Sequence, residues 1–411
     1  MRYIHGVDRR SGIAVSRMPG GSVTLRTDIS SFYSSIYTHA IDWAVHGKAA
    51  AKRAMRSSSR TTGQLLDAYV RESRNGQTIG VSVGPDTSLL VSELVLARVD
   101  EALCREFPRL SSRAFRFVDD MVFYASSTAE AYEVLGRYEQ ILRDFGLSLN
   151  PNKVAVEDGI RPIDSAWVPV LRQARFRDDT DVHQTQDLID LFTLAFDQAQ
   201  KFPTDGVLSY AIKRSDPFPG GATSWPTYRD LVVASISQEP SVLRNAHQVL
   251  TFAKAHGLKV DADRLVSVLN ETCQEHARLD HGFEVSWILT ILRDLDLPLD
   301  ATVGQSIADM DDNASLVLLV DETKRRPITL SSVDLGQAVK RAERPGALSS
   351  EDWLLAYELR AAKDCRPAKW DGSTEWKKLN SAKVRFLVPR ASRLSGRFRR
   401  RLPSFLTGWG Y

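Results

Sequence analysis

Apolar and polar positions divide the chain into an N-terminal part that mixes strands with helices and a longer part built from helices. The first 27 residues are basic and punctuated by glycine, which predicts one hairpin and little else. Alternation over residues 23 to 27 predicts a strand ending at Asp28, then a helical turn with Ser30 or Ser31 as its N-cap. Residues 40 to 70 predict mixed helix. Gly80 and Gly84-Pro85 interrupt the next stretch and predict a loop whose backbone can approach a ligand. Asp86, Thr87 or Ser88 then caps a helix with Leu89, Leu90, Leu94, Val95, Ala97 and Leu103 on its apolar face.

From Phe115 to Tyr124, Asp119 and Asp120 lie between two runs rich in aromatic and β-branched residues. That arrangement predicts a strand, a tight turn and a second strand. An amphipathic helix is expected over 128 to 145, ended by Gly146. Residues 147 to 156 predict a short strand, a turn and another strand. The sum is an α+β unit, helices on one face of a small antiparallel sheet, ending near residue 175.

From 185 to about 365 the spacing turns helical, with breaks at Pro203, Pro217-Phe218-Pro219, Pro240, Gly257, Pro298 and Pro327. No strict period is visible, so a repeat-like helical stack is a suggestion. Trp287 and Trp353 are expected in its core. The tail is basic (Lys383, Arg385, Arg390, Arg393, Arg397, Arg399, Arg400, Arg401), with Phe386, Phe398, Phe405, Trp409 and Tyr411 interleaved. That mixture suits phosphates and unstacked bases, and equally a surface tail or oligomer contact. The expected divisions are 1–175, 176–380 and 381–411.

Composition adds limits. The 411 residues suit about two or three domains. A net charge of +3 does not by itself demand a polyanion. Lys48, Lys52, Arg53, Arg56 and Arg60 recur at helical spacing, which fits a solvated face or a phosphate stripe. The three cysteines are far apart and odd in number, against a disulfide framework. No apolar run is long enough to span a membrane, and no secretory leader is seen, so a reducing cytoplasm is the expected setting.

The candidate chemistry centres on carboxylates. Adjacent carboxylates repel, burial makes double ionisation costlier, and a hard divalent cation removes that cost. Taken alone, Asp119-Asp120 suits a solvated turn, Asp28 suits a cleft-facing group and a cap or turn residue equally, and Lys153 suits a surface position.

Together the segments resemble the palm of reverse transcriptases. The resemblance covers residues 23 to about 160 and has four parts in order: Thr27-Asp28-Ile29-Ser30-Ser31-Phe32-Tyr33, Gly80-Val81-Ser82-Val83-Gly84-Pro85, Phe117-Val118-Asp119-Asp120, and Leu147-Ser148-Leu149-Asn150-Pro151-Asn152-Lys153. Residues 32 to 48 and 77 to 88, with His281-Gly282-Phe283-Glu284-Val285-Ser286-Trp287 and Glu351-Asp352-Trp353-Leu354-Leu355-Ala356-Tyr357-Glu358, are similar to bacterial abortive-infection reverse transcriptases. These belong to the defence-associated group, in which a helical domain replaces the thumb. Only 27 residues precede Asp28, so the fingers are expected to be reduced.

The resemblance implies an RNA-directed or untemplated DNA polymerase, a nucleotidyltransferase acting in anti-phage defence. It implies Mg²⁺, or Mn²⁺, held by Asp28, Ile29, Asp119 and Asp120, with Asp28, Asp119, Asp120 and Lys153 as the catalytic set. Phe32, Tyr33 and Lys153 would meet the incoming dNTP, Tyr33 as a gate against the ribose 2′-hydroxyl. Gly80, Gly84 and Pro85 would lie against template and primer. Expected partners are an RNA template or non-coding RNA, a DNA product, dNTPs and further copies of the chain, with no membrane. The competing expectation is a catalytically weak palm that holds a structured RNA as a scaffold or sensor.

Overall fold

The computed structural model describes residues 10–54, 60–177, 179–215, 221–366, 370 and 373–388. The chain forms two compact units that divide between Asp164 and Ser165, ahead of the boundary expected near 175. Residues beyond the expected break already belong to the second core: Trp167 and Leu171, on a short helix, are buried there.

The first unit is α+β. Its elements run α1 (Arg10–Arg17), β1 (Val23–Thr27), α2 (Phe32–Ser35), α3 (Ala40–His46), α4 (Lys48–Ala54), α5 (Thr62–Glu72), α6 (Asp86–Glu106), α7 (Leu110–Arg113), β2 (Ala114–Phe117), β3 (Asp120–Ala125), α8 (Thr128–Asp144) and β4 (Ala155–Asp158). The sheet is antiparallel with strand order β2-β3-β1-β4. Leu25, Met121 and Phe123 point into a core filled by Leu96 and Val99 of α6 and Val134, Tyr138, Ile141 and Leu142 of α8. The hydrophobic effect thus pins both long helices to the sheet.

Several expectations change. The N-terminal stretch forms helix α1 where a hairpin was expected. Residues 147 to 156 contribute one strand, β4; the earlier half makes only an isolated bridge, Leu149 to Ile29. Pro85, not an acidic or hydroxyl residue, occupies the N-cap of α6, since proline's fixed φ suits the chain entering a helix. Ser31 does precede α2, but in a left-handed conformation and without a side-chain cap bond. Lys48 and Lys52 lie on α4. Lys48 Nζ donates to the Asp144 carbonyl at 2.7 Å and sits over Trp43, which makes it a packing residue. Arg56 lies outside the described residues.

The second unit is helical: α9 (Trp167–Arg172), α10 (Asp181–Lys201), α11 (Val207–Arg214), α12 (Ser224–Gln238), α13 (Leu243–Ala255), α14 (Ala262–Arg278), α15 (Gly282–Leu295), α16 (Ala301–Ala308), α17 (Asn313–Arg325), α18 (Gly336–Glu343), α19 (Trp353–Ala362) and α20 (Thr374–Ser381). Contacts skip one helix at a time. α10 meets α12, α12 meets α14 and α14 meets α16, while α11, α13, α15, α17 and α19 form a second row. Two stacked rows bury a continuous apolar seam from Leu188 to Ile307. Trp287 packs against that seam, but Trp353 stays 37% exposed, stacked on Trp376.

The described start of the basic tail is docked. Arg385 binds Glu358 of α19, whose other oxygen receives the amides of Phe386 and Leu387 at 2.6 and 3.1 Å. Phe386 packs on Trp353 and Tyr357. Arg385 and Phe386 are therefore structural, while the tail residues from Arg390 onward lie outside the described residues. Among the described residues no helix is long and apolar enough to cross a membrane.

Candidate active site

The register of the central strands decides which acidic side chains meet. Thr27 pairs with Met121, so Asp28, one step beyond β1, falls opposite Asp120 at the start of β3. Residues opposite one another across an antiparallel pair project to the same face. The carboxyl groups of Asp28 and Asp120 come close enough to interact, with Asp119 acting on Asp120 from the adjoining turn.

Two departures from ordinary backbone geometry flank these groups. Val118, in the β2–β3 turn, has φ 52°, and Ser31, just after Asp28, has φ 46°. A β-branched residue at positive φ is strained and persists only where its surroundings impose it. Arg116 supplies part of that constraint. Its guanidinium is almost fully buried and contacts the Val118 carbonyl, Glu93 at 2.9 Å and Asp100 at 3.0 Å. Burial strips its solvation, yet Glu93 and Asp100 more than offset this, so Arg116 holds its proton more tightly than a free arginine. Glu93 and Asp100, seven apart on α6, share one helix face.

Asp28 is fixed from the other side. The Asn150 amide donates to the Asp28 carbonyl at 2.8 Å and the Ser30 amide to the Ser148 carbonyl at 2.9 Å. These bonds draw residues 148 to 153 alongside Asp28. Lys153 Nζ then reaches Asp28 Oδ2 at 2.8 Å, and Asn150 Nδ2 makes a long 3.5 Å contact with Oδ1. Ile29 is 1% exposed, so its side chain belongs to the core. A hydrocarbon cannot ligate an ion. Its carbonyl, outside the two bridge bonds, is the atom Ile29 can offer.

Electrostatics follow the geometry. Burial, then the bond to Asp28, then the Asp119 charge push the Asp120 carboxyl up to about 6, with Arg10 opposing. Burial also raises Asp119, opposed by its own amide and reinforced by Asp28. The hydrogen bond to Asp28 raises Lys153, which keeps it protonated at neutral pH. Arg10 of α1 lies 3.9 Å from Asp120 and 5.4 Å from the Phe117 ring centre.

The remaining candidates gather on the neighbouring loop. The Gly80 amide donates to the Ile36 carbonyl at 2.7 Å and the Val81 amide to the Tyr33 carbonyl at 2.8 Å. Those bonds tie the glycine loop to α2. Gly80 has φ +88°, and a Cβ there would stand 2.5 Å from Arg74 Nη1 and 3.1 Å from the Ser34 carbonyl. Phe32 is buried, and Tyr33 packs edge-on against it while remaining partly accessible. Gly84 and Pro85 are exposed at the entry to α6.

The donor set is all carboxylate oxygen on one side, with a lysine ammonium beside it. Such a set fits a hard cation, Mg²⁺ or Mn²⁺, because the ion offsets the burial and mutual repulsion that raise the Asp119 and Asp120 carboxyls. Sequence reasoning missed Arg116, Arg10, Asn150 and the α6 acids. A lone arginine between Phe115 and Phe117 was the available signal, since a charge within an apolar strand needs partners. No protein-family model matches the chain, and no curated protein matches it either.

Proposed function

We propose that the first unit is a reverse-transcriptase-type palm that joins deoxynucleotides to a growing 3′ end. The observation that carries this reading is the meeting of Asp28 with Asp120 and Asp119 beside the Lys153 ammonium, from segments about 90 and 125 residues apart. Asp28, Asp119 and Asp120, with the Ile29 carbonyl, would hold the divalent ions. Ions so placed supply Lewis-acid stabilisation to the attacking and leaving oxygens of an in-line displacement.

The chain's own residues have defined tasks. The primer 3′-hydroxyl gives its proton to water as its oxygen bonds to the α-phosphorus, the bond to pyrophosphate breaks, and Lys153 donates a proton to that leaving group. To reach that leaving group Lys153 gives up its 2.8 Å bond to Asp28 Oδ2. Arg116 holds the Val118 turn so that Asp119 and Asp120 keep their positions. Tyr33 bars a 2′-hydroxyl, and the Gly80 loop, fixed to α2, supports the template. The anti-phage role rests on the resemblance in motif order.

The test is synthesis. Purified chain is incubated with labelled dNTPs and Mg²⁺ or Mn²⁺, with and without RNA, beside Asp119→Ala. Incorporation by the wild type that is lost in the variant supports the reading. Equal signal from both, or none from either, overturns it.

A second reading has one observation in its favour. Arg10 and Lys153 already neutralise Asp120 and Asp28, as expected of a palm kept as a binding scaffold. Tight RNA binding that is unchanged in Asp119→Ala, without incorporation, selects it.

A further inference from the structure

The junction between α14 and α15 carries a cluster that the polymerase reading does not use. His276 lies in the last turn of α14, His281 at the N-cap of α15, and Glu284 in the first turn of α15. Each can bring one ligating atom to within 4.8 Å of the others. The Nδ1 atoms of the two imidazoles are already 2.9 Å apart, and the rings are tilted by 40°.

From these positions we infer a zinc-class metal site formed by His276, His281 and Glu284. Two imidazoles and one carboxylate are the ligand types Zn²⁺ selects over Mg²⁺, which prefers oxygen alone. Zinc–nitrogen bonds near 2.0–2.1 Å in a tetrahedron set the two nitrogens roughly 3.4 Å apart. The rings reach that spacing by separating about half an ångström. Glu284 closes the third position through its flexible side chain, and the fourth stays open to water.

The backbone that presents these ligands is held in place before any ion arrives. The His281 amide donates to the His276 carbonyl at 3.0 Å and so closes the turn. Gly282 is packed so tightly that a Cβ there would stand 2.3 Å from Asp312, the residue that caps α17. Ser315 Oγ donates to the Gly282 carbonyl, and the Asp311 amide donates to Asp280 Oδ1 at 3.0 Å. Neighbouring helices therefore fix the turn, and only side chains need to move. A bound ion would staple α14 to α15 in the middle of the helical stack.

The full chain is freed of metal with a chelator and titrated with Zn²⁺ by calorimetry and with Co²⁺ by visible absorption. The expected result is one tightly held ion per chain that is lost in His281→Ala, apart from any ion on the first unit's carboxylates, with an intense Co²⁺ band of four-coordinate nitrogen–oxygen type and a Zn²⁺-dependent rise in Tm. His281→Ala, at an exposed position, and His276→Ala each abolish the band and the Tm rise. Glu284→Gln weakens binding at least tenfold. Asp119→Asn leaves the Co²⁺ band unchanged, which separates this site from the carboxylates of the first unit. No stoichiometric binding to the wild type, or a band that survives in His281→Ala, overturns the proposal. Circular dichroism checks that His281→Ala is folded.

Discussion

Lys153 Nζ sits 2.8 Å from Asp28 Oδ2, an ion pair that joins residues 125 positions apart at the mouth of the sheet. The lysine itself is largely exposed but its partner Asp28 is buried, so its loss leaves that carboxylate without its cation. Its proposed chemical role makes a stronger demand. Lys153→Met is expected to lower the rate of nucleotide addition by about 10²-fold or more, with Lys153→Arg retaining part of it. Single-turnover incorporation, with folding checked by thermal melting, measures this. A full rate in Lys153→Met removes the general-acid role.

Asp120 ties stability to pH. Its folded value of about 6 lies above the ordinary 3.8, so between these values the native state binds more protons than the unfolded chain. The stability it contributes is complete below about pH 4 and is lost as pH rises through about 6. Asp120→Asn is expected to melt higher than wild type at pH 7.5 and to lose that advantage near pH 4. Under the polymerase reading Mg²⁺ displaces the same proton, so any stabilisation it gives the wild type should shrink between pH 7.5 and pH 5. Melting curves across that range, with and without Mg²⁺, decide both points.

Arg116 anchors two acids and a strained turn. Removing it by Arg116→Ala leaves Glu93 and Asp100 facing each other without a cation, at a cost of about 3–5 kcal/mol. Urea denaturation measures that loss. Glu93→Gln, which keeps Asp100 paired, should cost clearly less.

Gly80 has no room for a side chain. Its φ of +88° and the nearby Ser34 carbonyl make Gly80→Ala destabilising by about 1 kcal/mol or more. Gly84, also at positive φ but with open space around it, should cost less on the same substitution. Comparing the two variants by chemical denaturation separates backbone strain from steric clash.

Tyr33 tests sugar selection. Under the polymerase reading, Tyr33→Ala should incorporate ribonucleotides more readily than the wild type while still using dNTPs. Competition between labelled dNTP and NTP pools reads the ratio, and an unchanged ratio removes the gate.

The parts of the fold legible in the sequence were those set by local periodicity. The strand ending at Asp28, the hairpin carrying Asp119 and Asp120, and the helix stopped by Gly146 all follow from spacing and turn chemistry. What stayed hidden depends on distant partners. The pairing of Asp28 with Asp120 follows from strand register, which no single segment encodes. Arg116 carried no assignment in the sequence because its two acids lie on another element. The first of the two strands expected within 147 to 156 reduced to a bridge because only Leu149 finds a partner, Ile29, just past β1. Arg385 and Phe386 read as part of a tail suited equally to nucleic acid and to a surface or oligomer contact, although Glu358 and an aromatic cluster claim them.

That last attachment constrains how the C-terminus can be dissected. Glu358 is 2% exposed and satisfies its carboxylate with groups from Arg385, Phe386 and Leu387. A deletion ending before residue 385 would strand a negative charge inside the last helices and confuse collapse of the domain with loss of the arginines. Shortened proteins that end just after Val388 keep the plug and remove only the cationic segment, so they isolate what that segment does.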